Sequence, residues 1–211
     1  ETGSVMRDLA ARGHAVYGFT RHGARAARRD GFDVPDTIEE VLTRAEADQA
    51  LIVIAVPMHA VAEVLDAVAE YAPTTGITDV VSVKKPVYDL IVERGMQHRY
   101  VGGHPMSGTE FSGWNASQSG LFAGAAWAVT YDFARETGGT PEWAALFEQV
   151  CLLAKATGAE AVPVQVARHD EAVARVSHLP HVLAEALAIV GDRGGTCLLY
   201  TSPSPRDRQK S

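Results

Sequence analysis

Hydrophobic and polar positions along the first 166 residues alternate between stretches with helical spacing and short apolar runs. The helical spacing predicts helices over residues 4–12, 59–71 and 141–157. The short runs predict strands over residues 14–19, 51–56, 79–83, 100–102, 127–130 and 159–164. Helices that alternate with strands are typical of an α/β protein with a doubly wound, mostly parallel sheet, and we predict that fold class for residues 1–166.

The run of residues 51–56 is the clearest strand signal. Its side chains are apolar on both faces and mostly β-branched, and Pro57 ends it. Because a strand that is buried on both faces lacks polar alternation, this run predicts a central strand of the sheet.

The pattern changes after this α/β part. Residues 171–190 form a long alanine-rich stretch with helical spacing, in which Pro180 is the single interruption. Asp170 is its expected N-cap, and Gly191 with the glycines that follow is its expected end. We therefore predict that residues 167–196 are the first helix of a second, all-helical domain.

Both ends of the chain depart from these patterns. Residues 197–211 break the helical pattern and resemble the translation of a sequencing adapter, so we expect an artefactual tail that lies outside the fold. Residues 1–3 stand where a doubly wound domain has its first strand and glycine-rich turn. We expect that most of this strand and turn is missing.

Composition and charge narrow the classes of function. The chain has 211 residues, of which 46% are hydrophobic, and this is enough for a sizeable core. Its 19 basic and 26 acidic residues give a net charge of −7, which disfavours nucleic acid as a partner. No apolar run is long enough for a bilayer and no leader opens the chain, so we predict no membrane contact and a cytoplasmic location. The two cysteines suggest neither a disulfide framework nor a zinc site.

A remnant of a dinucleotide-binding turn lies at the start of the chain. Gly3 and Ser4 precede the first predicted helix, where backbone amides could meet a pyrophosphate. Thr20 and Arg21 close the next predicted strand, where such domains bind the adenosine ribose. A hydroxyl followed by a guanidinium suits the additional phosphate of NADP, whereas an acidic residue there would favour NAD. A solvated basic helix explains the same residues equally well, and the predicted cofactor is NADP or NAD.

Polar groups also follow the predicted strands further along the chain. In open α/β sheets, ligands bind at the carboxyl ends of the strands. Val56 and Pro57 end one predicted strand and are counted as cofactor-binding residues. Ser82 and Lys84 lie at the end of the next one and are expected to point toward the same cleft. Ser82 is thus a candidate for both cofactor binding and catalysis, although serine and lysine are also ordinary surface residues.

Residues 101–113 hold the densest group of chemically active side chains. Between glycines that permit sharp turns they carry His104, Ser107, Thr109, Glu110 and Ser112. An imidazole on a stiff His-Pro step beside a cleft can take a proton near neutral pH. This segment therefore predicts a catalytic site.

A second group of histidines lies in the predicted long helix. Helical spacing places Ser177 and His181 on one face, and Pro180 would bend the helix beside them. A zinc site is disfavoured because a third ligand at suitable spacing is missing. The alternative is a kinked helix whose histidines are core or capping residues.

The strings GGHPMSGTE and SHLPH occur in this order, and with them the chain resembles the prephenate dehydrogenase and arogenate dehydrogenase family over residues 3–195. The resemblance implies a Rossmann-like domain followed by a helical domain that forms a homodimer. It implies an oxidoreductase of tyrosine biosynthesis, which converts prephenate to 4-hydroxyphenylpyruvate by oxidative decarboxylation with hydride transfer to NAD(P). Arogenate is the alternative substrate.

The resemblance also implies roles for individual residues. His104 matches the histidine that accepts the proton of the substrate's ring hydroxyl, and Ser82 matches the serine that orients this hydroxyl and the histidine. Four further positions match residues that bind substrate, and these are Thr109, Glu110, Ser177 and His181.

Two departures from the family pattern bear on activity. The first glycine-rich turn is missing, and the arginine that binds the substrate carboxylate would fall beyond the end of the predicted helix, where Arg193 is not a match. We therefore expect that the chain alone is weakly active or inactive. Two rival classes are a β-hydroxyacid dehydrogenase, disfavoured because no lysine lies between Lys155 and Lys210, and a Rossmann-fold binding module without catalysis.

Overall fold

The structure is a computed structural model that describes residues 2–108 and 113–194, without the side chains of residues 178, 181 and 190–194. It divides into two compact units, of which the first ends at His169 and the second begins at Asp170. The described strands are β1 (Ile52–Ile54), β2 (Ile77–Asp79), β3 (Tyr100–Val101), β4 (Gly103–Pro105), β5 (Ala126–Thr130) and β6 (Glu160–Val164). The described α-helices are α1 (Thr2–Ala11), α2 (Ala24–Arg29), α3 (Ile38–Asp48), α4 (Val61–Tyr71), α5 (Lys85–Glu93), α6 (Asp132–Thr137), α7 (Pro141–Ala156), α8 (Val166–Val173) and α9 (Leu179–Gly194).

Two three-stranded sheets form the centre of the first unit. Strands β1, β2 and β3 are parallel in that order, and Thr78 of β2 lies opposite Val53 and Val101. In the second sheet, β5 lies between an antiparallel β4 and a parallel β6. The α/β class with a mostly parallel sheet is thus confirmed, although the described ladders form two sheets rather than one.

Two apolar cores surround the sheets, and the second core also includes Val53 of β1 and Val101 of β3 from the first sheet. On the first sheet, α4 buries Val61, Leu65 and Val68 completely, and this spacing of four and then three residues is that of one helix face. The second core is built around Trp127 and Phe122, whose rings lie 5.5 Å apart between centroids. Complete burial of one such side chain stabilises a fold by about 1.5–3 kcal/mol, so both cores contribute strongly.

Local signals explain where several helices begin. Thr37 and Glu40 form a capping box at the start of α3, in which each side chain bonds the other residue's amide. Thr140 accepts a hydrogen bond from the amide of Trp143 and is followed by a proline, which suits the first turn of α7.

Three predicted strands differ from the structure. Residues 14–19 do not form a strand, because within the described chain only Tyr17 pairs there, through an isolated bridge to Asp33. The strand predicted over residues 51–56 shortens to β1, which pairs only with β2 among the described strands and is therefore an edge strand rather than a central one. The strand predicted over residues 79–83 ends already at Asp79, where the carboxylate accepts the amide hydrogen of Val81 and the chain turns away.

The other predicted strands and helices of the first unit differ from the described ones by at most two residues at an end. The sequence patterns did not predict strand β4, which follows β3 directly, or the helices α2, α3, α5 and α6. The helix expected over residues 59–71 is α4 preceded by a single 3₁₀ turn at Met58–Ala60. Differences of this size are usual at element ends, where turns fray or tighten.

The long helical segment begins earlier than predicted. Asp170 lies inside α8 and is not an N-cap, because the carboxylate of Asp132 already caps the helix at the amide of Val166. A π-helical turn at Ala174–His178 follows, directly before Pro180, and the helix then continues through Gly191 as α9. Since proline lacks an amide hydrogen and its ring crowds the preceding turn, a widened turn at this point accommodates it without ending the helix.

Among the helices of the described residues, none combines the length and the apolar character that a membrane span requires.

Candidate active site

Three of the predicted site segments lie at one edge of the first sheet. Because β1, β2 and β3 are parallel, their carboxyl ends share this edge. Val56 and Pro57 follow β1, Ser82 follows β2, and His104 lies just after β3 in β4. Val56 is half-buried, whereas Pro57 and Ser82 are exposed. The fold thus brings together residues that are far apart in sequence.

His104 is buried and bonded to a second imidazole. Its side chain is only 8% exposed, and its Nδ1 lies 2.8 Å from Nε2 of His169 in α8. The two rings meet nearly at right angles, with an interplanar angle of 71°. In such a contact one nitrogen donates and the other accepts, so the bond fixes the proton position on both rings.

His169 is the site residue that sequence reasoning did not select. It is 3% exposed and its amide donates to the carbonyl of Gln165, within the first turn of α8. The sequence signal was present, because His169 and Asp170 stand just upstream of the SHLPH string. Only the fold, however, brings α8 next to β4.

Lys84 does not point into an open cleft, and this prediction is wrong. Its side chain is completely buried, paired with the equally buried carboxylate of Asp79, and donates to the carbonyl of Gly103 at 2.6 Å. The hydroxyl of Tyr100 donates to the second carboxylate oxygen of Asp79 at 2.5 Å. The reason is that an ammonium placed inside a protein needs a carboxylate and carbonyl partners, and here the strand ends supply them.

Burial, together with the neighbouring Asp79 charge, raises the pKa of Tyr100 well above its ordinary value. The phenol is therefore a hydrogen donor throughout the range in which proteins are stable. Its hydroxyl thus adds a hydrogen bond to the carboxylate that pairs with Lys84.

The predicted pyrophosphate residues lie at the N-terminus of α1. The hydroxyl of Thr2 donates to the carbonyl of Ala55 at 3.2 Å, so this helix starts beside the end of β1. Ser4 is fully buried, and its hydroxyl accepts the amide hydrogen of Gln118 at 3.1 Å. A Cβ on Gly3 would stand 2.6 Å from Cβ of Ser117, so this glycine is required by the packed segment above it. The Ser4 hydroxyl is thus already engaged within the protein.

The predicted ribose and phosphate residues are exposed. The hydroxyl of Thr20 donates to the carbonyl of His22 at 2.7 Å. Arg21 pairs with Glu63 of α4, and the hydrogen bond that the guanidinium donates to this carboxylate raises the pKa of Arg21. A hydroxyl and an accessible guanidinium at this point could bind a phosphate, in competition with Glu63.

A match to a known protein family identifies the family of this chain. The family described as "Prephenate dehydrogenase, nucleotide-binding domain" matches residues 5–157, which is most of the first unit. The chain belongs to this prephenate dehydrogenase family. The matched range includes His104 and Ser82 and ends before His169.

Relatives of known name agree with this membership. A prephenate dehydrogenase of Lactococcus lactis is 29% identical over 163 residues, which are 75% of this chain and 42% of that protein. A candidate prephenate dehydrogenase of Corynebacterium glutamicum, known as a crystal structure, is 51% identical with a TM-score of 0.89 and matches 98% of this chain and 65% of its own. The prephenate dehydrogenase of Aquifex aeolicus in complex with hydroxyphenyl propionate and NAD+ shares the fold, with 24% identity, a TM-score of 0.80, and coverage of 98% of this chain and 72% of that one. The chain thus spans under half the length of the Lactococcus enzyme.

The roles of the four predicted substrate residues stay predictions. Thr109 and Glu110 lie outside the described residues. Ser177 is exposed in the π-helical turn of the second unit, and His181 lies in α9 with its side chain outside the described part. Within the part of the chain that is described, no group of three His, Cys, Asp or Glu side chains could hold a metal ion.

Proposed function

We propose that this protein is the nucleotide-binding part of a prephenate dehydrogenase and oxidises and decarboxylates prephenate with NAD(P). The observation that carries the proposal is the bond between His104 Nδ1 and His169 Nε2 at 2.8 Å, beside the carboxyl ends of three parallel strands. Membership in the prephenate dehydrogenase family supports it. The Aquifex relative, crystallised with NAD+ and a hydroxyphenyl acid, is a precedent for both ligand classes.

His104 is the proposed base. Because its Nδ1 is engaged with His169, we assign the transfer of the substrate's hydroxyl proton to Nε2. As the O–H bond breaks, the ring carbon becomes a carbonyl carbon and its hydrogen leaves as a hydride. The carboxylate on the opposite ring carbon leaves as carbon dioxide. The electron pair of the broken C–C bond makes the ring aromatic and passes to the carbonyl oxygen, which regains the proton from His104 to give the phenol. Aromatisation drives the reaction, so the protein has mainly to supply a base and accurate placement.

The chain's own residues are suited to hold the cofactor. Bound NAD(P) would supply the acceptor for the hydride. The N-terminus of α1 lies next to the end of β1, which is where a pyrophosphate binds in such folds. Val56 and Pro57 follow at the same edge, and Thr20 with Arg21 would bind the adenosine ribose or its phosphate. The exposed hydroxyl of Ser82 would orient the substrate's hydroxyl toward His104.

Two further parts of the proposal concern the whole protein. We place it in the cytoplasm, as a biosynthetic oxidoreductase. A homodimer is proposed because several large apolar side chains of the second unit are more than half exposed, and these are Val176, Leu179, Val182, Leu183, Leu187 and Ile189. Light scattering of the purified protein should give twice the chain mass, and a monomer at high concentration would contradict this part.

The proposed function is tested by assays of the whole enzyme of which this chain is the proposed nucleotide-binding part, with prephenate and with arogenate, each with NAD and NADP. His104→Gln should lower turnover by about 10²–10⁴-fold because the base is lost, while the dinucleotide dissociation constant stays nearly constant. His14→Gln, at an exposed histidine far from the β4 segment in sequence, is the matched control and should change neither quantity.

The outcomes separate the alternatives. Turnover of arogenate but not of prephenate would show that arogenate is the substrate. Dinucleotide binding without turnover of either would favour a non-catalytic binding module. An equal loss of turnover and of dinucleotide binding in His104→Gln would contradict the assignment of the base.

A further inference from the structure

The two side chains proposed to meet the substrate hydroxyl stand on segments of different sheets. Ser82 lies in the turn between β2 and α5, whereas His104 lies in β4 of the second sheet. A base and an orienting hydroxyl act together only when their separation is fixed to within a fraction of an ångström. Some contact between the two segments must therefore set this separation.

Lys84 joins these two segments. It is the residue before α5 and only two positions after Ser82, and its side chain is fully buried. Its ammonium pairs with Asp79 at the end of β2 and donates to the carbonyl of Gly103 at 2.6 Å. A single buried cation thus ties the serine turn to the residue that precedes His104.

Asp79 accepts two further hydrogen bonds besides its pair with Lys84. One carboxylate oxygen accepts the amide hydrogen of Val81 at 2.8 Å, and the other accepts the hydroxyl hydrogen of Tyr100 at 2.5 Å. The turn with Ser82 is therefore folded around this carboxylate.

The approach of the two strands at this point is unusually close. A Cβ on Gly103 would stand only 2.6 Å from the carbonyl oxygen of Asp79 and 2.8 Å from Nε1 of Trp127. No side chain larger than hydrogen fits there, so β4 is held against the end of β2 where Lys84 crosses.

The carbonyl that Lys84 binds belongs to the peptide group joining Gly103 to His104. Because this peptide group is planar, fixing its oxygen also fixes the orientation of the amide of His104 and the position of the Cα from which the imidazole extends. A buried ion pair is a poor source of stability, since an apolar pair of the same size is often equally stable or better. The pair is therefore better explained by the way it orders the two segments than by a gain in stability.

We propose that the Asp79–Lys84 pair is a positioning device that sets the separation and orientation of Ser82 and His104, an inference that rests on the proposed function of these two residues. Lys84 is a positioning residue and does not itself touch the substrate. Its loss lowers turnover through misplacement of His104.

The test compares three variants of the purified protein. Lys84→Met removes the ammonium and keeps the length of the side chain. The double variant Asp79→Leu with Lys84→Met replaces the whole pair by apolar groups, which avoids an uncompensated buried carboxylate. Lys85→Met is the matched control, because the adjacent lysine forms an exposed pair with Asp89 in α5.

Two readouts are measured on each variant together with its thermal unfolding. The first readout consists of the turnover number, KM and the dissociation constant of the dinucleotide. The second, which does not need activity, is the set of imidazole ¹⁵N resonances of His104, assigned by their absence in His104→Gln. We expect the double variant to fold and to bind the dinucleotide nearly as well as the wild type. Its turnover should fall about 10–100-fold, and its His104 resonances should shift. Lys85→Met should change none of these quantities.

Three other results would overturn one of the two proposals. A double variant that folds with native His104 resonances and native turnover would show that the pair acts on stability alone. A double variant that does not fold would also overturn the proposal, because the pair would then be a requirement of the fold. A whole enzyme that turns over neither prephenate nor arogenate would refute the proposed function, while the resonances of His104 would still decide whether the pair positions it.

Discussion

At the scale of single residues, the bond between His104 and His169 determines how the first can act. For His104 to take a proton at Nε2, its Nδ1 must carry a hydrogen, which Nε2 of His169 accepts. When His104 becomes cationic, this bond becomes charge-assisted and stronger. The partner is an imidazole, whose accepting nitrogen favours one tautomer of His104.

The pair of Arg21 and Glu63 gives a prediction about the cofactor. If Arg21 binds the additional phosphate of NADP, Glu63 competes for the guanidinium and repels the phosphate. We expect Glu63→Gln to lower the dissociation constant for NADPH by a factor of about 2–5 and to leave that for NADH unchanged, because exposed pairs are weak. Quenching of tryptophan fluorescence measures both constants.

Glu70→Gln is the control for this prediction, since Glu70 is an exposed carboxylate at the other end of α4. Equal effects of the two substitutions, or none on NADPH, would remove Arg21 from the cofactor site.

At the scale of elements, the connections between helices and strands are held by charged side chains that accept or donate several bonds. The loop from α4 to β2 is fixed by Glu46 of α3, which accepts hydrogen bonds from the amides and hydroxyls of Thr74 and Thr75. From the other side, the buried Arg99 donates to the carbonyls of Ala72 and Thr75 at 2.8 Å each. These contacts place the start of β2, and so the strand end that carries Asp79.

Glu46 gives a prediction about pH. Burial raises its pKa, but the hydrogen bonds from Thr74 and Thr75 outweigh this effect and lower the pKa to about 2. A lowered pKa in the folded state means that this stabilisation is complete above the ordinary value of 4.5 and is lost as the pH falls toward 2. We expect Glu46→Gln to lower the free energy of unfolding by about 1–2 kcal/mol at neutral pH, after allowance for solvent screening, and by much less near pH 3.

Urea unfolding at both pH values measures this difference. Glu39→Gln in the first turn of the same helix is the control and should cost less at neutral pH, because Glu39 is exposed. A loss from Glu46→Gln that is the same at both pH values would contradict the assigned cause.

At the scale of the whole molecule, the boundary between the two units lies within a continuous helical segment. Helix α8 begins in the first unit and continues past His169 into the second. Val166, at its start, is 3% exposed and belongs to the first core, and His169 contacts His104. The first unit therefore needs the start of α8, both for the stability of its core and for the contact of His104 with His169.

Truncation tests this view. A chain that ends at residue 173 should fold with a cooperative thermal transition. A chain that ends at residue 165 should lose about 1.5–3 kcal/mol from Val166 alone, in addition to the bond from its amide to Asp132. Circular dichroism with heating measures both, and equal melting temperatures would show that α8 is not part of the first unit.

The sequence by itself determined the class of the fold and the identity of the proposed base. Apolar runs and helical spacing are local properties, and they place most element ends within a few residues of the described ones. The glycine-rich segment around His104 was recognisable because its composition is unlike that of a packed element.

Only the tertiary structure decided which strands pair and which polar groups are buried. Residues 14–19 have a strand-like pattern, yet a strand also needs a neighbouring backbone, and among the described residues one bridge alone provides it. In the same way, Lys84 reads as a surface lysine until Asp79, Tyr100 and the carbonyl of Gly103 surround it. The contact of His169 with His104 spans 65 positions of the chain, and no local pattern encodes a distance of that kind.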